Sequence, residues 1–330
     1  MAGHGSEEGA FIALMRTLAT LPGARGLMDD AAVLGRPGGD LVLTHDMMVE
    51  GVHFLPGDPP ESVAWKLCAV NMSDLAAKGA VPLGVLIGYG MAGTGAGDPG
   101  WNEGFARGLG EALGHFGAAL LGGDTVRMPD GGPRTLGLTA IGEAPACGAP
   151  SRAGARAGHL LFVTGTMGDA GAGLALLQGQ ADATEDARAR LIEAYRRPLP
   201  PVALGPALAP HVSAMADVSD GLLIDANRIA RASGVAIHID LARMPLSPAY
   251  VAARGSDAAS RLAAATAGDD YQLLFTARPE EEAAIRAHAA TLGLAVTPVG
   301  RCADGAGGGL TLAHAGSPLP LPERLGYEHG

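Results

Sequence analysis

Apolar residues change repeatedly between strand-like and helix-like spacing along this chain, which predicts a mixed α and β protein. Short apolar runs predict strands over residues 40–50, 82–89, 136–142, 159–164, 235–241 and 273–275. Apolar residues three or four apart predict helices over residues 6–20, 60–80, 100–116, 174–178 and 183–194. The 330 residues exceed the usual size of one core, and the Pro-, Gly- and Arg-rich segment 143–157 is the best boundary. We therefore expect two domains, 1–145 and 146–330.

The segment 214–234 combines an apolar lead-in, the polar turn DVSDG and a helix pattern that ends at Gly234. Its turn carries Asp217, Ser219 and Asp220, which fit a metal or phosphate site. Taken alone, the turn fits helix capping by Ser219 or Asp220 better, because these residue types are preferred caps. A binding role needs further polar residues elsewhere in the chain.

Composition excludes several classes of protein. The net charge of −11 argues against nucleic acid as a partner, since phosphate backbones are bound by basic surfaces. Cys68, Cys147 and Cys302 lack the spacing of a disulfide framework or zinc site, which predicts a reducing, cytoplasmic setting. The absence of a signal-peptide pattern and of a long apolar run predicts a soluble protein without a membrane partner.

Aspartates follow apolar or glycine-bounded segments unusually often: Asp29, Asp30, Asp46, Asp74, Asp124, Asp217, Asp220, Asp269 and Asp270. Carboxylates gathered in one place repel one another unless cations neutralise them. Oxygen ligands without a Cys/His cluster suit Mg²⁺, which commonly bridges to substrate phosphates. This pattern predicts a nucleotide site with several Mg²⁺ ions.

Other phosphate-binding motifs fit poorly. Lys66 and Lys78 are the only lysines and neither follows a glycine, so a GxxxxGK[ST] loop is excluded. Protein-kinase HRD and DFG triplets are also missing. The run GTMGDAGAG, residues 165–173, resembles a dinucleotide loop only loosely, because no strand carries the acidic residue required downstream.

Six motifs occur in order: the Asp29, Asp30 pair before AAVL, then LTHDMMVEGVHF, NMSDLAAKGA, GGDT, DVSDGLLID and GDDYQLLF. Together they make the chain, from about residue 26 to Tyr327, similar to the thiamine-monophosphate kinases of the aminoimidazole-ribonucleotide-synthetase-like (PurM-like) superfamily. The resemblance implies two α+β domains with mixed sheets covered by helices, and a homodimer with the N-terminal sheet in its interface. It also implies ATP-dependent, Mg²⁺-assisted, in-line phosphorylation of thiamine monophosphate to thiamine diphosphate without a covalent enzyme intermediate.

Residue roles follow from the resemblance alone. It implies Mg²⁺ ligands at Asp30, Thr44, Asp46, Asp74, Asp124, Asp217 and Asp220. It implies ATP contacts, direct or through metal, at Gly123, Asp124, Arg152 and Ser219. The thiamine monophosphate contacts are expected at His53, Asp269 and Tyr327.

Each of these residues also has an ordinary explanation, and three positions depart from the family. Alone, His53 and Tyr327 fit packing residues, Arg152 a solvated charge and Asp124 a turn. The family usually has Gly where Met28 stands, a hydroxyl residue where His45 stands and Glu where Asp269 stands. His45 would have to reach a metal through its carbonyl or ring, and Asp269 reaches one methylene less far.

Two alternative functions stay open at this point. One is a sister activity, such as aminoimidazole ribonucleotide synthetase, selenophosphate synthetase or a hydrogenase-maturation ATPase. Selenophosphate synthetases carry a reactive Cys or selenocysteine near the N-terminus and the maturation factor ends in a Cys-bearing tail, whereas Cys68 and Cys302 lie elsewhere. The other is a non-catalytic nucleotide-binding relative, which is expected to lose metal ligands that this chain keeps.

Overall fold

The computed structural model describes residue 16 and residues 21–92, 99–305 and 308–328. The helix predicted over residues 6–20 lies outside the described residues except for Arg16, which is helical. Within the described ranges, no helix combines the length and the apolar character needed to cross a bilayer. The cytoplasmic location stays a prediction.

The first sheet has the strand order β1-β2-β5-β3-β4, with only β3 and β4 parallel. Its strands are β1 (Ala32–Leu34), β2 (Leu41–Val49), β3 (Val81–Met91), β4 (Ala119–Arg127) and β5 (Thr135–Glu143). A 3-10 helix, Pro22–Leu27, precedes β1. Helices α1 (Pro60–Ala77) and α2 (Pro99–Phe116) pack on one face of this sheet around a common core. The opposite face, which we call the open face, exposes residues such as Met47 and Leu86.

The second sheet has the order β12-β11-β8-β10-β6-β9-β7, and only β8 and β11 are parallel neighbours. Its strands are β6 (Leu160–Thr164), β7 (Ala214–Val218), β8 (Val235–Asp240), β9 (Gln272–Ala277), β10 (Val296–Asp304), β11 (Gly309–His314) and β12 (Ser317–Leu319). The helices are α3 (Asp169–Leu177), α4 (Glu185–Arg196), α5 (Leu204–Leu208), α6 (Leu222–Ser233), α7 (Pro248–Arg254), α8 (Ala258–Ala265) and α9 (Glu282–Thr291). Short 3-10 turns cover Leu241–Arg243 and Pro279–Glu281. Both faces of this sheet are covered, so the predicted α+β class with mixed, helix-covered sheets is confirmed.

Helix α1 lies between the two sheets. Its middle packs in the core of the first sheet, whereas Ala76 and Ala77 pack with Phe162 and Phe275 of the second. Nearly every α1 side chain is therefore buried, including polar ones. A helix buried on all sides has no solvent face on which to place charges, so each charged group needs a partner inside the protein.

Several predicted boundaries were wrong. The GGDT segment forms no turn but lies inside β4, where a side chain at Gly123 would meet the Ile87 carbonyl oxygen at 2.2 Å. These glycines therefore serve close strand packing rather than chain reversal. The helix predicted at 174–178 begins at Asp169. The sequence pattern predicts no element for β1, β10, β11, β12, α7, α8 or α9, and it predicts a connector where α5 lies.

The contact between α1 and α5 gives a test of this packing. A Cβ on Gly205 would lie 2.3 Å from the Ala76 carbonyl oxygen, so Gly205→Ala should lower the free energy of unfolding by about 1–3 kcal/mol. Gly110 lies exposed inside α2 with no atom within 4 Å of its Cβ position, so Gly110→Ala should raise stability by about 0.5–1 kcal/mol. Denaturant unfolding of both variants measures the difference, and equal shifts would contradict the packing.

Candidate active site

A cavity of about 970 Å³ opens where α1, the end of β2, the β7–α6 turn, residues 266–271 and the chain end meet. Most of the predicted site residues line it. They are the metal-site residues Asp46, Asp74, Asp217 and Asp220, the ATP residue Ser219, and the acceptor residues His53, Asp269 and Tyr327. Two sheets and α1 thus bring together segments that are up to about 280 residues apart in sequence, as the separation of Asp46 from Tyr327 shows.

Three carboxylates form the centre of the site, of which Asp217 belongs to a buried residue and Asp30 and Asp74 to half-buried ones. Asp30, Asp74 and Asp217 each place one oxygen within 4.8 Å of the others. The Thr44 hydroxyl donates to Asp74, and the Ser73 hydroxyl donates to Asp217 at 2.7 Å. This carboxylate cluster, defined as Asp30, Asp74 and Asp217, contains three of the predicted metal ligands.

Burial and mutual repulsion raise the pKa values around the cluster. Burial, followed by the charges of Asp30 and Asp225, raises the pKa of Asp217 to about 8. Burial, followed by Asp46 and Asp217, raises the pKa of Asp74 well above its usual range. Burial is also the main cause of the raised pKa of Asp46. A divalent cation removes this penalty because it favours the ionised carboxylates.

The cluster fits a hard cation such as Mg²⁺. In the part of the chain that the structure describes, both Asp30 carboxylate oxygens are buried yet accept no well-aligned hydrogen bond. Lys78 Nζ lies 2.5 Å from Asp30 Oδ2 and Arg152 forms an ion pair with Oδ1, but both approach off the hydrogen-bonding direction. Asp30 therefore keeps carboxylate lone pairs that can bind a further cation. The metal-binding atoms of the cluster are all carboxylate oxygens, which Mg²⁺ prefers.

The β7–α6 turn is held in place by a side chain of α6, the helix that follows it. Gly221 is the N-cap of α6 and provides no side-chain cap, so capping by Ser219 or Asp220 was a wrong expectation. Instead, the Asp225 carboxylate accepts hydrogen bonds from the backbone N–H groups of Ser219 and Asp220, at 3.1 and 3.2 Å. Arg228 then bridges Asp220 and Asp225 at 2.6 and 2.7 Å. The side chains of Ser219 and Asp220 are thus left to face the cavity, and the predicted C-cap Gly234 is confirmed.

The acceptor end is built from strained backbone. Asp269 and Tyr271 adopt positive φ angles of 71° and 48°, and the Asp269 N–H donates to the Ser219 carbonyl at 2.7 Å. The Tyr271 hydroxyl and Lys66 Nζ reach the two Asp269 oxygens at 2.9 and 2.7 Å. The Tyr327 N–H donates to the Asp220 carbonyl at 2.9 Å. Two of the three predicted acceptor residues, Asp269 and Tyr327, are therefore tied directly to the β7–α6 turn.

Two neighbouring side chains have structural contacts of their own. His53 Nδ1 accepts from the Val49 N–H at 3.1 Å, which orients the ring at the cavity edge. The buried Asp270 carboxylate turns away from Asp269 and accepts from the Gly168 N–H at 2.7 Å, at the start of α3. Asp270 thus fixes the glycine-rich 165–173 segment, which forms a strand-to-helix turn rather than a dinucleotide loop.

Asp124 lies away from the cavity of its own chain. In the first sheet Asp46 pairs with Leu138, whose side chain packs under the helices, whereas Asp124 is in register with Gly88 and Gly137 on the open face. Adjacent residues of a strand point to opposite faces, so Asp46 and Asp124 lie on opposite sides of the sheet. They are also three strands apart, about 14 Å at the usual spacing. Gly123 lies beside Asp124 in β4. Arg152 forms an ion pair with Asp30 of the cluster and does not line the cavity.

The sequence analysis assigns no role to the groups that stabilise the predicted ligands, although Asp29, Ser73 and Lys78 lie in the motifs it uses. They are Asp29, Lys66, Ser73, Lys78, Asp225 and Arg228. Lys66 and Lys78 had a detectable signal, since they are the only lysines of the chain and flank the NMSD motif on a predicted helix. Asp225 had no detectable signal. Acidic residues are common in the first turn of a helix, because they interact favourably with the helix dipole.

Family models match both halves of the chain. The model for the N-terminal domain of AIR synthase related protein matches residues 28–144, and that for its C-terminal domain matches residues 156–313. The thiamine-monophosphate kinase of Caulobacter vibrioides is 42% identical over 313 residues, covering 94% of this chain and 86% of that protein. The thiamine-monophosphate kinase of Salmonella typhimurium is 36% identical over 306 residues, covering 92% and 91%.

Solved structures agree in fold over the whole chain. A thiamine-monophosphate kinase from Stenotrophomonas maltophilia has 36% identity and a TM-score of 0.75, covering 93% of this chain and 95% of that one. AaThiL complexed with AMPPCP and TMP has 29% identity and a TM-score of 0.83, with complete coverage of both chains. The predicted superfamily and two-part fold are confirmed by these matches.

The raised pKa values predict how stability depends on pH. The folded-state pKa of Asp217 is about 8 against an ordinary 3.8, so between these values the folded chain binds more protons than the unfolded chain. The melting temperature in EDTA should therefore fall as the pH rises from about 6 to about 8, and millimolar Mg²⁺ should raise and flatten this profile.

Matched variants separate the cluster from general surface charge. Asp217→Asn should reduce the slope in EDTA, because the raised pKa values of Asp74 and Asp46 still contribute to it. Asp130→Asn, at an exposed turn, should leave the slope unchanged. Parallel profiles with and without Mg²⁺ would count against metal binding at the cluster.

Proposed function

The chain belongs to the thiamine-monophosphate kinase family, and we propose that it transfers the terminal phosphoryl group of ATP to thiamine monophosphate, giving thiamine diphosphate. One observation carries this proposal: a single cavity is lined by four of the expected metal ligands, the Ser219 turn and all three expected acceptor residues. The four ligands are Asp46, Asp74, Asp217 and Asp220, and Asp74 and Asp217 also belong to the carboxylate cluster. Relatives at 31–42% identity share the kinase name, which favours this activity over the sister activities of the superfamily. This chain has all seven metal ligands that the resemblance implies, which disfavours a non-catalytic relative.

The proposed reaction needs charge neutralisation and alignment rather than a protein nucleophile. Asp30, Asp46, Asp74, Asp217 and Asp220, with the Thr44 hydroxyl, would hold several Mg²⁺ ions. Mg²⁺ bound there supplies positive charge to the phosphates of both substrates.

The remaining groups position the two substrates. Ser219, at the start of α6, and Arg152 are proposed to contact ATP. His53, Asp269 and Tyr327 are proposed to hold thiamine monophosphate, with Lys66 and Tyr271 fixing the Asp269 carboxylate. Direct in-line transfer follows if both phosphates lie at the carboxylate cluster.

We also propose two domains divided as predicted, 1–145 and 146–330. The limits of the two family models at residues 144 and 156 support this division. The site then lies between the domains, with α1 of the first domain forming one wall.

A homodimer through the first sheet is part of the proposal. β4 is exposed along its length at the sheet edge, and unpaired edges or large apolar patches usually mark interaction surfaces. Large exposed apolar side chains concentrate on the open face and on β3 and β4: Met47, Val81, Leu83, Leu86, Leu120, Leu121 and Val126. A second copy of the chain has the complementary surface in an isologous dimer.

This dimer also accounts for Gly123 and Asp124. Since Asp124 lies on the opposite face of its own sheet from Asp46, we infer that its proposed metal and ATP contacts are made in the site of the partner subunit. The proposal therefore has each site completed by two chains.

The kinase activity is tested by an acceptor assay. Purified protein with ATP and Mg²⁺ should convert thiamine monophosphate, and not thiamine or aminoimidazole-type acceptors, to a product with one more phosphate. Asp46→Asn and Asp217→Asn should each lower kcat at least about tenfold, since a lost transition-state charge contact is worth about 1.4 kcal/mol or more. Asp130→Asn is the control. Normal ATP binding without any thiamine diphosphate would defeat the assignment.

A mixing experiment tests the shared site. Asp124→Asn and Asp217→Asn chains should each be poorly active alone. After subunit exchange of equal amounts, the mixed dimer has one site with both aspartates, and about a quarter of wild-type activity should return. If Asp124 acted within its own chain, no mixed site would be intact and activity would not recover.

A further inference from the structure

Lys78 is a completely buried cation beside the carboxylate cluster, and none of the proposed binding roles uses it. Its side chain is 0% exposed and follows the last residue of α1. Its Nζ lies 2.5 Å from Asp29 Oδ1, 2.5 Å from Asp30 Oδ2 and 3.2 Å from the Met215 carbonyl oxygen. An ammonium has three N–H donors, and three oxygens surround it here.

This arrangement resembles the surroundings of a bound metal ion. Asp29 and Asp30 are adjacent in sequence, and their carboxylates are 3% and 0% exposed. Two buried carboxylates this close need a cation between them, because water cannot reach them to screen their repulsion. Arg25 and Arg152 contact the outer oxygens of this pair, whereas Lys78 is the one cation among the described residues that contacts both carboxylates.

We propose that Lys78 is a built-in cation of the carboxylate cluster: it occupies the position between Asp29 and Asp30 that a divalent ion would otherwise need, and confines Mg²⁺ to the side facing Asp74 and Asp217. This inference rests on the proposed Mg²⁺ cluster. Lys78 is accordingly a positioning residue, since it acts on substrate only through Asp30. Its role is to hold this ligand in place through the ion pair, whether or not metal is bound.

The chain contains its own matched control. Lys66, the other lysine, is also buried in α1, with its side chain 4% exposed. Its Nζ pairs with Asp269, which is 30% exposed at the acceptor end of the cavity, and not with the carboxylate cluster. Lys66→Met therefore removes the same charge from the same helix without opening a cation position between two carboxylates.

The test counts metal ions instead of activity. Equilibrium dialysis with Mn²⁺, used as a probe for Mg²⁺, gives the number of ions bound per chain in the wild type, Lys78→Met and Lys66→Met. We expect Lys78→Met to bind one more Mn²⁺ than the wild type and Lys66→Met to bind the same number. In EDTA the melting temperature of Lys78→Met should drop by about 10 °C, because a buried ion pair is broken, and Mg²⁺ should restore it more than it raises the wild type.

The outcomes are distinct. Equal Mn²⁺ counts in the wild type and Lys78→Met, with equal Mg²⁺ stabilisation, overturn this inference while leaving the kinase proposal intact. A wild type that binds no Mn²⁺ instead overturns the metal cluster itself. If Lys78→Met stays unfolded even in Mg²⁺, the same two measurements on Lys78→Gln decide, since glutamine keeps a hydrogen-bond donor without the charge.

Discussion

The ion pairs made by α1 are the constraint on which the rest of the structure depends. This helix lies between the two sheets, and the side chains of Lys66 and of Lys78, which follows its last residue, are 4% and 0% exposed. Leaving either ammonium group unpaired would cost several kcal/mol. Lys78 is paired with Asp29 and Asp30 before β1, and Lys66 with Asp269 after α8. These ion pairs join the segment before β1 and the segment after α8 to the same helix. The cavity lies next to this helix.

The same constraint links folding to chemistry. The protein's cations contact one edge of the carboxylate cluster, whereas Asp74 and Asp217 have hydroxyl partners and no lysine or arginine at salt-bridge distance among the described residues. Burial and repulsion therefore keep the pKa values of Asp74 and Asp217 high without metal. A site that is costly to ionise alone becomes favourable once divalent cations and the phosphates they neutralise are present. Without metal, ionised carboxylates at the proposed phosphoryl-binding position therefore lower the stability of the folded chain.

The sequence predicted local elements well where one period dominated and failed where tertiary contacts decide. The spacing of apolar residues predicts the helix over 60–80 and the helix that begins after the DVSDG turn. Glycine next to aspartate favours chain reversal, which predicts a turn at GGDT. In the folded chain close strand packing explains these glycines, and only the pairing of β3 with β4 reveals it. Likewise, the motifs located Asp30 and Asp74, but the buried pairing of Lys78 depends on two segments about 50 residues apart, which periodicity cannot detect.

The alternation of side chains along β2 explains why the departure at His45 is compatible with an intact cluster. Thr44 and Asp46 point towards the helices, and Thr44 bonds Asp74 there. His45 points to the open face, where its ring contacts Thr139 at 2.9 Å. A change at this position therefore removes no side-chain contact of Thr44 or Asp46 and alters the face that also carries Asp124. The side chains of this motif therefore lie on two faces of the sheet: Thr44 and Asp46 on the face covered by helices, and His45 on the open face. A substitution of His45 changes the open face.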